Sequence, residues 1–275
     1  MEVVEFRMQA EGCDVYGFHT QPQQIKGVVV LVHGFGEHSG RYKNTVIPNL
    51  LASDLAVVAY DNVGHGQSSG KRGHCPSYEA LLGILNEVVQ RAESIFPDLA
   101  LFLYGHSMGG NLVLNYALRR DARLSGIIAT SPYLRLAFQP PKLKMAMGRL
   151  MLRMKAAVTL PSGLDPKGIS RIPEEVEKYK NDPLVHDRVS PMFSFPIMDA
   201  GEWAIQNAKQ LSTDTLLLHG TDDPIIDSEG TKEFHKNSDK TTLALFGGGY
   251  HELHNDLCQT EMLETINSWL KAYLS

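Results

Sequence analysis

Short apolar segments alternate with amphipathic helical segments along most of this chain, and that alternation limits the possible folds more than any other feature. Most of the apolar segments lack polar alternation, as strands covered on both faces do. The predicted strands span residues 3–8, 14–20, 27–34, 55–61, 99–105, 125–132, 215–220 and 241–248. The predicted helices span residues 43–53, 77–95, 109–120, 228–238 and 258–273. Because strands and helices take turns, we expect a mostly parallel, eight-stranded α/β sheet with helices on both faces, its first two strands forming a hairpin.

The alternation stops after Pro132 and resumes at Thr215. The intervening residues contain no convincing strand segment, but a Met- and Leu-rich helix followed by a polar, proline-rich stretch that we interpret as loop. We therefore expect a single α/β core made of residues 1–132 and 206–275. Residues 133–205 would form a helical cap inserted into that core.

Ser107 lies between two glycines, in the sequence Gly-His-Ser-Met-Gly, after an apolar strand segment and before a helical one. Gly105 and Gly109 remove Cβ atoms where strand and helix crowd the turn, so the serine can point outward. The helix N-terminus beside it favours developing negative charge. An ordinary glycine-rich loop would have the same five residues, so the partners of Ser107 decide whether it is a nucleophile.

An acid and a base follow Ser107 in the chain order expected of a catalytic triad. Asp223 comes just after the predicted strand 215–220, and His251 comes just after the last predicted strand. Strand ends of this kind form the ligand-binding edge of α/β sheets. We predict that His251 is the general base and that Asp223 orients it. Asp222 is the competing acid, and an ordinary surface histidine is the alternative for His251.

An oxyanion hole requires two backbone N–H groups, one of which should belong to Met108, the residue after the nucleophile. The sequence His-Gly-Phe-Gly at 33–36 follows a strand directly, and its Phe35 amide is the predicted second donor. A zinc site at His33 and His38 is the alternative. Their spacing matches no usual zinc site and no paired ligands follow, so no metal or organic cofactor is expected.

The composition argues against several classes of protein. The net charge of -5 is unlike that of a general nucleic-acid binder, which would normally be basic. Three widely spaced cysteines give no disulfide framework or metal-ligand spacing. The N-terminus has acidic residues and no signal-like apolar region, and the longest uncharged apolar runs are far shorter than the roughly 20 residues of a membrane span. We expect a soluble, cytoplasmic protein that binds no nucleic acid. The sequence does not exclude attachment to the surface of a membrane. It does not indicate the oligomeric state.

Six motifs occur in one order and together resemble the monoacylglycerol lipase and lysophospholipase group of the α/β-hydrolase superfamily, from about residue 10 to the end. The motifs are HGFGEHSGRY, YDNVGHGQSSG, GHSMGG, YKNDPL, HGTDDPIID and YHELHND. The resemblance implies the α/β-hydrolase fold, a Ser107–Asp223–His251 triad and an oxyanion hole from Phe35 and Met108. In that family the oxyanion-loop residue is often small, such as alanine, so the larger Phe35 is a departure that bears on the shape of the pocket.

The resemblance also implies polar groups that hold the glycerol hydroxyls of a substrate. Members of that family use groups that match Glu37, Arg41, Tyr179 and His254. Independently of the resemblance, Glu37 and Arg41 are four residues apart and could form an ordinary surface salt bridge.

The Met- and Leu-rich helix of the expected cap, residues 142–156, is apolar on two faces. One face has Leu143, Met147, Leu150, Met151 and Met154, and the nearly opposite face has Met145, Leu152 and Ala156. Basic residues flank both faces. One interpretation is a cap helix packed on the core. In the other interpretation, one face lines an acyl channel and the opposite face, which has Met145 and Leu152, enters a bilayer. The basic flanks would then be attracted by anionic lipids.

The sequence therefore predicts a serine hydrolase that cleaves the fatty acyl ester of a monoacylglycerol or a similar lipid. A lysophospholipase or a broad, short-chain carboxylesterase is the alternative, because the leaving group is not fixed by these motifs. A non-catalytic binding protein of the same fold would usually have lost a triad residue or the oxyanion loop, and neither is lost here.

Overall fold

The computed structural model describes residues 2–120, 123–139, 141–154 and 157–274. The strands are β1 (Val4–Ala10), β2 (Cys13–Thr20), β3 (Gly27–Val32), β4 (Leu55–Tyr60), β5 (Ala100–His106), β6 (Gly126–Thr130), β7 (Leu160–Pro161), β8 (Arg188–Val189), β9 (Thr215–Gly220) and β10 (Thr241–Phe246). The helices are α1 (Val46–Ala52), α2 (Tyr78–Ile95), α3 (Met108–Arg119), α4 (Lys142–Arg153), α5 (Pro173–Asn181), α6 (Pro191–Asn207), α7 (Ser228–Lys236) and α8 (Gln259–Leu270).

Eight of these strands form a single sheet in the order β1-β2-β4-β3-β5-β6-β9-β10. The strand β2 runs antiparallel to both β1 and β4, and every other pair in this sheet is parallel. The mostly parallel, eight-stranded sheet predicted from the alternation is therefore confirmed. In such a sheet the carboxyl ends of the parallel strands lie along one edge, which is where α/β proteins bind ligands.

The central strands are buried on both faces, which explains their uninterrupted apolar sequences. Along β3, Val30 belongs to the core beneath α2 and α3, where it is joined by Leu85. The next residue, Leu31, belongs to the core on the opposite face, with Leu50 of α1 and Ile266 of α8. Alternate side chains thus enter two separate apolar layers, and the helices that seal them hold the central strands rigidly in place.

The cap region differs in detail from the prediction. The stretch interpreted as proline-rich loop contains the helix α5, the start of α6 and the short antiparallel pair of β7 with β8. Pro173 and Pro191 occupy the first positions of α5 and α6, where proline is favoured because that N–H needs no helical partner. These two prolines therefore mark helix starts. The predicted cap boundary at 205 falls inside α6, and the division into core and cap stays a prediction.

Candidate active site

Ser107 occupies the tight turn between β5 and α3. Its backbone has φ 53° and ψ -113°, a strained conformation for a residue with a side chain. A Cβ atom at Gly105 would collide with the backbone of Gly109, and one at Gly109 would collide with the backbone of Val32. The two glycines thus permit the close crossing of strands and helix that forces the serine side chain outward.

A continuous hydrogen-bond chain links Ser107 to His251 and Asp223. The distance between Ser107 Oγ and His251 Nε2 is 2.9 Å, and the distance between His251 Nδ1 and Asp223 Oδ2 is 2.7 Å. All three side chains are buried. Asp222, the competing acid, is exposed and accepts a hydrogen bond from the Thr221 hydroxyl instead. The structure therefore brings together the three residues predicted as a triad and leaves Asp222 outside.

The electrostatics of this chain favour one protonation state. Burial would raise the pKa of Asp223, but the charge of His251 and hydrogen bonds from His219 and His251 lower the pKa well below its ordinary range. Burial would lower the pKa of His251, but the charge of Asp223 and its hydrogen bond raise the pKa above 6.5. With Asp223 ionised, His251 Nδ1–H donates to it, and Nε2 can accept the Ser107 hydroxyl proton.

Asp223 has a second histidine partner that the sequence analysis missed. His219, in the buried strand β9, has Nε2 at 3.2 Å from Asp223 Oδ2 and Nδ1 at 2.8 Å from the Thr231 hydroxyl oxygen. The other carboxylate oxygen of Asp223 accepts the amides of Ile225 and Ile226. A polar residue inside an otherwise apolar strand was the available signal. Together these donors fix the carboxylate in one orientation.

The loop after β3 also lies close to the nucleophile Ser107. A Cβ atom on Gly34 would lie 3.3 Å from the Cβ of Ser107. The Gly34 amide donates to Glu37 Oε1 at 2.7 Å, which ties the turn together. Among the residues that the structure describes, the amides of Phe35 and Met108 have no hydrogen-bond acceptor. Both amides are therefore free to donate to a developing oxyanion, and their role as the oxyanion hole stays a prediction.

The Phe35 ring joins an aromatic cluster beneath the cap. Its centroid lies 5.1 Å from that of Phe193, 5.5 Å from that of His65 and 5.7 Å from that of His186. Burial lowers the pKa of His65 well below its ordinary value, so this histidine is neutral. Phe35 also lines the cavity. The large side chain at this position therefore forms part of the wall between the oxyanion loop and α6.

A cavity of about 670 Å³ opens above Ser107 and His251. Its size is in the range of ordinary small-molecule sites, about 300–1,000 Å³. The oxyanion loop forms its floor, and residues of the expected cap form its walls. Apolar cap side chains that line it include Leu136, Phe138, Met145 and Phe195. The nucleophile thus lies at the bottom of a mostly apolar pocket.

Two of the four residues predicted to hold glycerol line this cavity, namely Glu37 and Tyr179. Arg41 and His254 are not among the residues that line it, and their direct contact with glycerol stays a prediction. The Arg41 guanidinium is held between Glu37 and Glu252, a carboxylate that the sequence analysis did not anticipate. The Glu37–Arg41 pair forms, but it is buried, with side chains only 2% and 8% exposed, and so is not a surface salt bridge.

His254, the other of these two, is fully buried and packs against aromatic neighbours. Its ring stacks on that of Tyr42, with centroids 4.8 Å apart, and meets the edge of His106 at 4.9 Å. Burial lowers the pKa of His254, so this residue is neutral. The His106 ring in turn packs on that of His251, with centroids 4.8 Å apart. His254 therefore supports the position of His251 through His106.

The two apolar faces of α4 have different surroundings. Met145 and Gly148 line the cavity, and Gly148 lets α4 lie directly against the ring of Phe195. The opposite face is open to solvent, with Leu143, Met147, Leu150 and Met154 exposed by 74%, 57%, 58% and 64%. This is the reverse of the expected arrangement, in which Met145 marked the outer face. The predicted residue Ala156 lies outside the described residues.

Within residues 2–120, 123–139, 141–154 and 157–274, no group of three or more His, Cys, Asp or Glu side chains is arranged to hold a metal ion. In the same part of the chain, no helix has the length and apolar character needed to cross a membrane.

Comparison with known proteins identifies similar chains along almost the entire length. The Hydrolase_4 family model, described as serine aminopeptidase S33, matches residues 23–258. The chain is 36% identical to an uncharacterised abhydrolase domain-containing protein of Dictyostelium discoideum over 88% of its own length, but spans only 26% of that relative. It is 31% identical to a monoacylglycerol lipase of Mycolicibacterium smegmatis, covering 94% of this chain and 93% of the relative. The crystal structure of a monoacylglycerol lipase of Paleococcus ferrophilus superposes with a TM-score of 0.84 at 34% identity, covering 99% of each chain.

Proposed function

Because the chain belongs to the serine aminopeptidase S33 family of hydrolases, we propose that it is a carboxylic ester hydrolase that cleaves monoacylglycerols to glycerol and free fatty acid. The predicted resemblance to monoacylglycerol lipases and the predicted α/β-hydrolase fold are confirmed by the relatives that cover almost the whole chain. The observation that carries the proposal is the hydrogen-bond chain from Ser107 through His251 to Asp223 at the bottom of an apolar cavity.

The proposed reaction begins with nucleophilic attack by Ser107. His251 Nε2 accepts the hydroxyl proton as Ser107 Oγ bonds to the ester carbonyl carbon, and the resulting oxyanion accepts hydrogen bonds from the amides of Phe35 and Met108. The protonated His251 then gives its proton to the glycerol oxygen as the carbon–oxygen bond breaks. Glycerol leaves, and an acyl ester of Ser107 remains.

The second half of the reaction uses the same groups in reverse. His251 accepts a proton from a water molecule whose oxygen attacks the acyl carbonyl of the Ser107 ester. When the tetrahedral intermediate collapses, His251 returns the proton to Ser107 Oγ and the fatty acid is released. Asp223 stabilises the imidazolium in both halves and is not itself protonated.

The shape and lining of the cavity support a fatty acyl substrate. Apolar side chains of the expected cap surround the space above Ser107, and Met145 is among them. Methionine suits a channel that accepts different chains, because its side chain is flexible and polarizable. The carboxylates of Glu37 and Glu252 line the cavity together with Tyr179, which gives it a polar side for the alcohol.

A kinetic panel tests this function against its alternatives. Monoacylglycerols of rising chain length would be compared with lysophospholipids, diacylglycerols and short-chain alkyl esters of matched acyl groups. We expect the highest kcat/KM for a monoacylglycerol. A clear preference for lysophospholipids, or for short alkyl esters, would overturn the proposed substrate and favour a lysophospholipase or a short-chain carboxylesterase.

We further propose that the protein contacts a lipid surface through the outer face of α4, whose exposed residues are Leu143, Met147, Leu150 and Met154. Phe138 and Leu160 are also exposed, and both line the cavity, so the apolar surface is continuous with the cavity entrance. A lipid ester could then pass from a membrane to Ser107 without crossing water. The cytoplasmic location predicted from the sequence stays a prediction.

A further inference from the structure

We propose that Glu252 determines the head-group specificity of this enzyme. With Glu37 it gives the alcohol side of the cavity a net negative charge, which accepts a neutral polyol and rejects an anionic head group such as a phosphate ester. This inference rests on the proposed function, because it concerns the leaving group of the same ester.

The geometry of the alcohol side shows how Glu252 acts. Its two carboxylate oxygens accept hydrogen bonds from Arg41 Nη1 at 2.5 Å and Nη2 at 2.7 Å. Arg41 Nη1 also donates to Glu37 Oε2 at 2.7 Å. One face of the guanidinium is covered by the Tyr179 ring, whose centroid lies 4.8 Å from the Arg41 Cζ atom. The two Nη groups of Arg41, which in many proteins bind a phosphate, are therefore already bonded to the carboxylate of Glu252.

The charges of this cluster do not cancel. Burial would raise the pKa of Glu252, but the charge and hydrogen bonds of Arg41 hold the pKa well below its ordinary value. Burial would lower the pKa of Arg41, but the charges of Glu252 and Glu37 raise this pKa well above its ordinary value. With His254 neutral, two carboxylates face one guanidinium, which leaves one excess negative charge.

The rest of the cavity adds to this charge. The described residues that line it include two further carboxylates, Asp165 and Asp187, and one cationic side chain, Lys180. The remaining walls are largely apolar, and few solvent dipoles or ions can screen a charge there. A phosphate joined to the glycerol would therefore be repelled, whereas the hydroxyl groups of a diol can donate hydrogen bonds to the carboxylates.

The matched variants for a test are Glu252→Gln and Glu252→Asp. Glutamine keeps the size of the side chain and its acceptor oxygen but removes the charge, and aspartate keeps the charge on a shorter side chain. Asp187→Asn is a third variant, at an exposed lining position whose change does not threaten the fold. Circular dichroism melting curves would establish that each variant is folded.

The substrates are 1-butanoylglycerol and 1-butanoylglycerol 3-phosphate, which share an acyl group and are too short to form membranes. Wild-type turnover of 1-butanoylglycerol tests the proposed function separately, since failure there would overturn the function itself. With that turnover intact, we expect wild type to favour the neutral ester by about 100-fold in kcat/KM, and Glu252→Gln to reduce this ratio by about tenfold. Asp187→Asn should reduce it less, and Glu252→Asp should keep it.

A second readout separates a charge effect from a merely structural one. The charge of Glu252 contributes to raising the pKa of His251, after the larger effects of burial and Asp223. Glu252→Gln should therefore move the acid limb of kcat/KM for 1-butanoylglycerol to lower pH, and Glu252→Asp should not. The proposal is overturned if Glu252→Gln keeps the wild-type ratio, if it lowers the ratio without moving the pH profile, or if Glu252→Asp changes the ratio as much as Glu252→Gln does.

Discussion

His219 and His251 share one carboxylate oxygen: their ring nitrogens lie 3.2 Å and 2.7 Å from Asp223 Oδ2. His251 links that carboxylate to Ser107, with its Nε2 2.9 Å from Ser107 Oγ. His219 instead faces the Thr231 hydroxyl with its other nitrogen and does not approach the cavity. The structure thus assigns two histidines to one acid, of which one reaches the nucleophile and the other fixes the acid.

The first prediction concerns His219 as a positioning residue. His219→Leu removes a hydrogen bond to a buried carboxylate, which is worth about 1.5–3 kcal/mol when the acceptor is charged. We expect kcat to fall by about 10- to 100-fold. His219→Gln should retain most of the activity, because its amide can also donate to Asp223. Steady-state kinetics of the two folded variants make the comparison, and equal kcat values would contradict the positioning role.

The second prediction is a pH profile. His251 must be neutral to accept the Ser107 proton, and its pKa is raised above 6.5 chiefly because the charge and hydrogen bond of Asp223 outweigh burial. Activity should therefore be lost as the pH falls through a value above 6.5, measured as kcat/KM of the free enzyme. Asp223→Asn removes the charge that raises this pKa. The residual activity, reduced by about 10⁴-fold, should have its acid limb at lower pH. An acid limb that stays in place would contradict this assignment.

The third prediction places the acyl chain against the inner face of α4. Met145→Trp should shorten the channel, and each methylene group that loses its apolar contact costs about 0.8 kcal/mol. Loss of two methylene contacts lowers kcat/KM for a long-chain monoacylglycerol by about tenfold, while the butanoyl ester is unaffected. Met147→Trp is the matched control, because Met147 is on the exposed face of the same helix. A similar chain-length profile for both variants would show that Met145 does not contact the chain.

The fourth prediction concerns the outer face of α4. Leu150→Glu should weaken binding to anionic liposomes by about tenfold, since burying one such side chain in lipid contributes about 1.5–3 kcal/mol. Val4→Glu, at an exposed position of β1, is the control and should leave binding unchanged. Co-sedimentation measures both. Equal binding of wild type and Leu150→Glu would count against a lipid-facing role for this surface.

The sequence predicts the sheet well, because each buried strand carries its own apolar pattern and each helix its own period. The helix starts at Pro173 and Pro191 were not predicted, since a proline at a helix start resembles a proline in a loop when only the local sequence is considered. The inner face of α4 could not be chosen either, because both faces are apolar. The contact that decides it, Gly148 on Phe195, joins two helices.

The residues of the candidate site also differ in whether the local sequence predicts them. Ser107, Asp223 and His251 each lie at a strand end with a recognisable local sequence, and the parallel sheet brings such ends to one edge. The Arg41–Glu252 pair joins residues 211 positions apart, and no local pattern near either residue predicts it. His219 has no motif of its own apart from being polar within a buried strand. The residues proposed to perform the reaction were thus more predictable than those proposed to adjust it.

The most direct test of the central claim is the hydrolysis of 1-oleoylglycerol by wild type and by Ser107→Ala, together with labelling of both proteins by a fluorophosphonate. We expect wild type to release glycerol and oleate in equal amounts and to be labelled on Ser107. The Ser107→Ala protein, with an unchanged melting temperature, should take up no label and lose turnover by about 10⁴-fold or more. A folded Ser107→Ala protein that still hydrolyses 1-oleoylglycerol at a rate close to that of wild type would contradict the account.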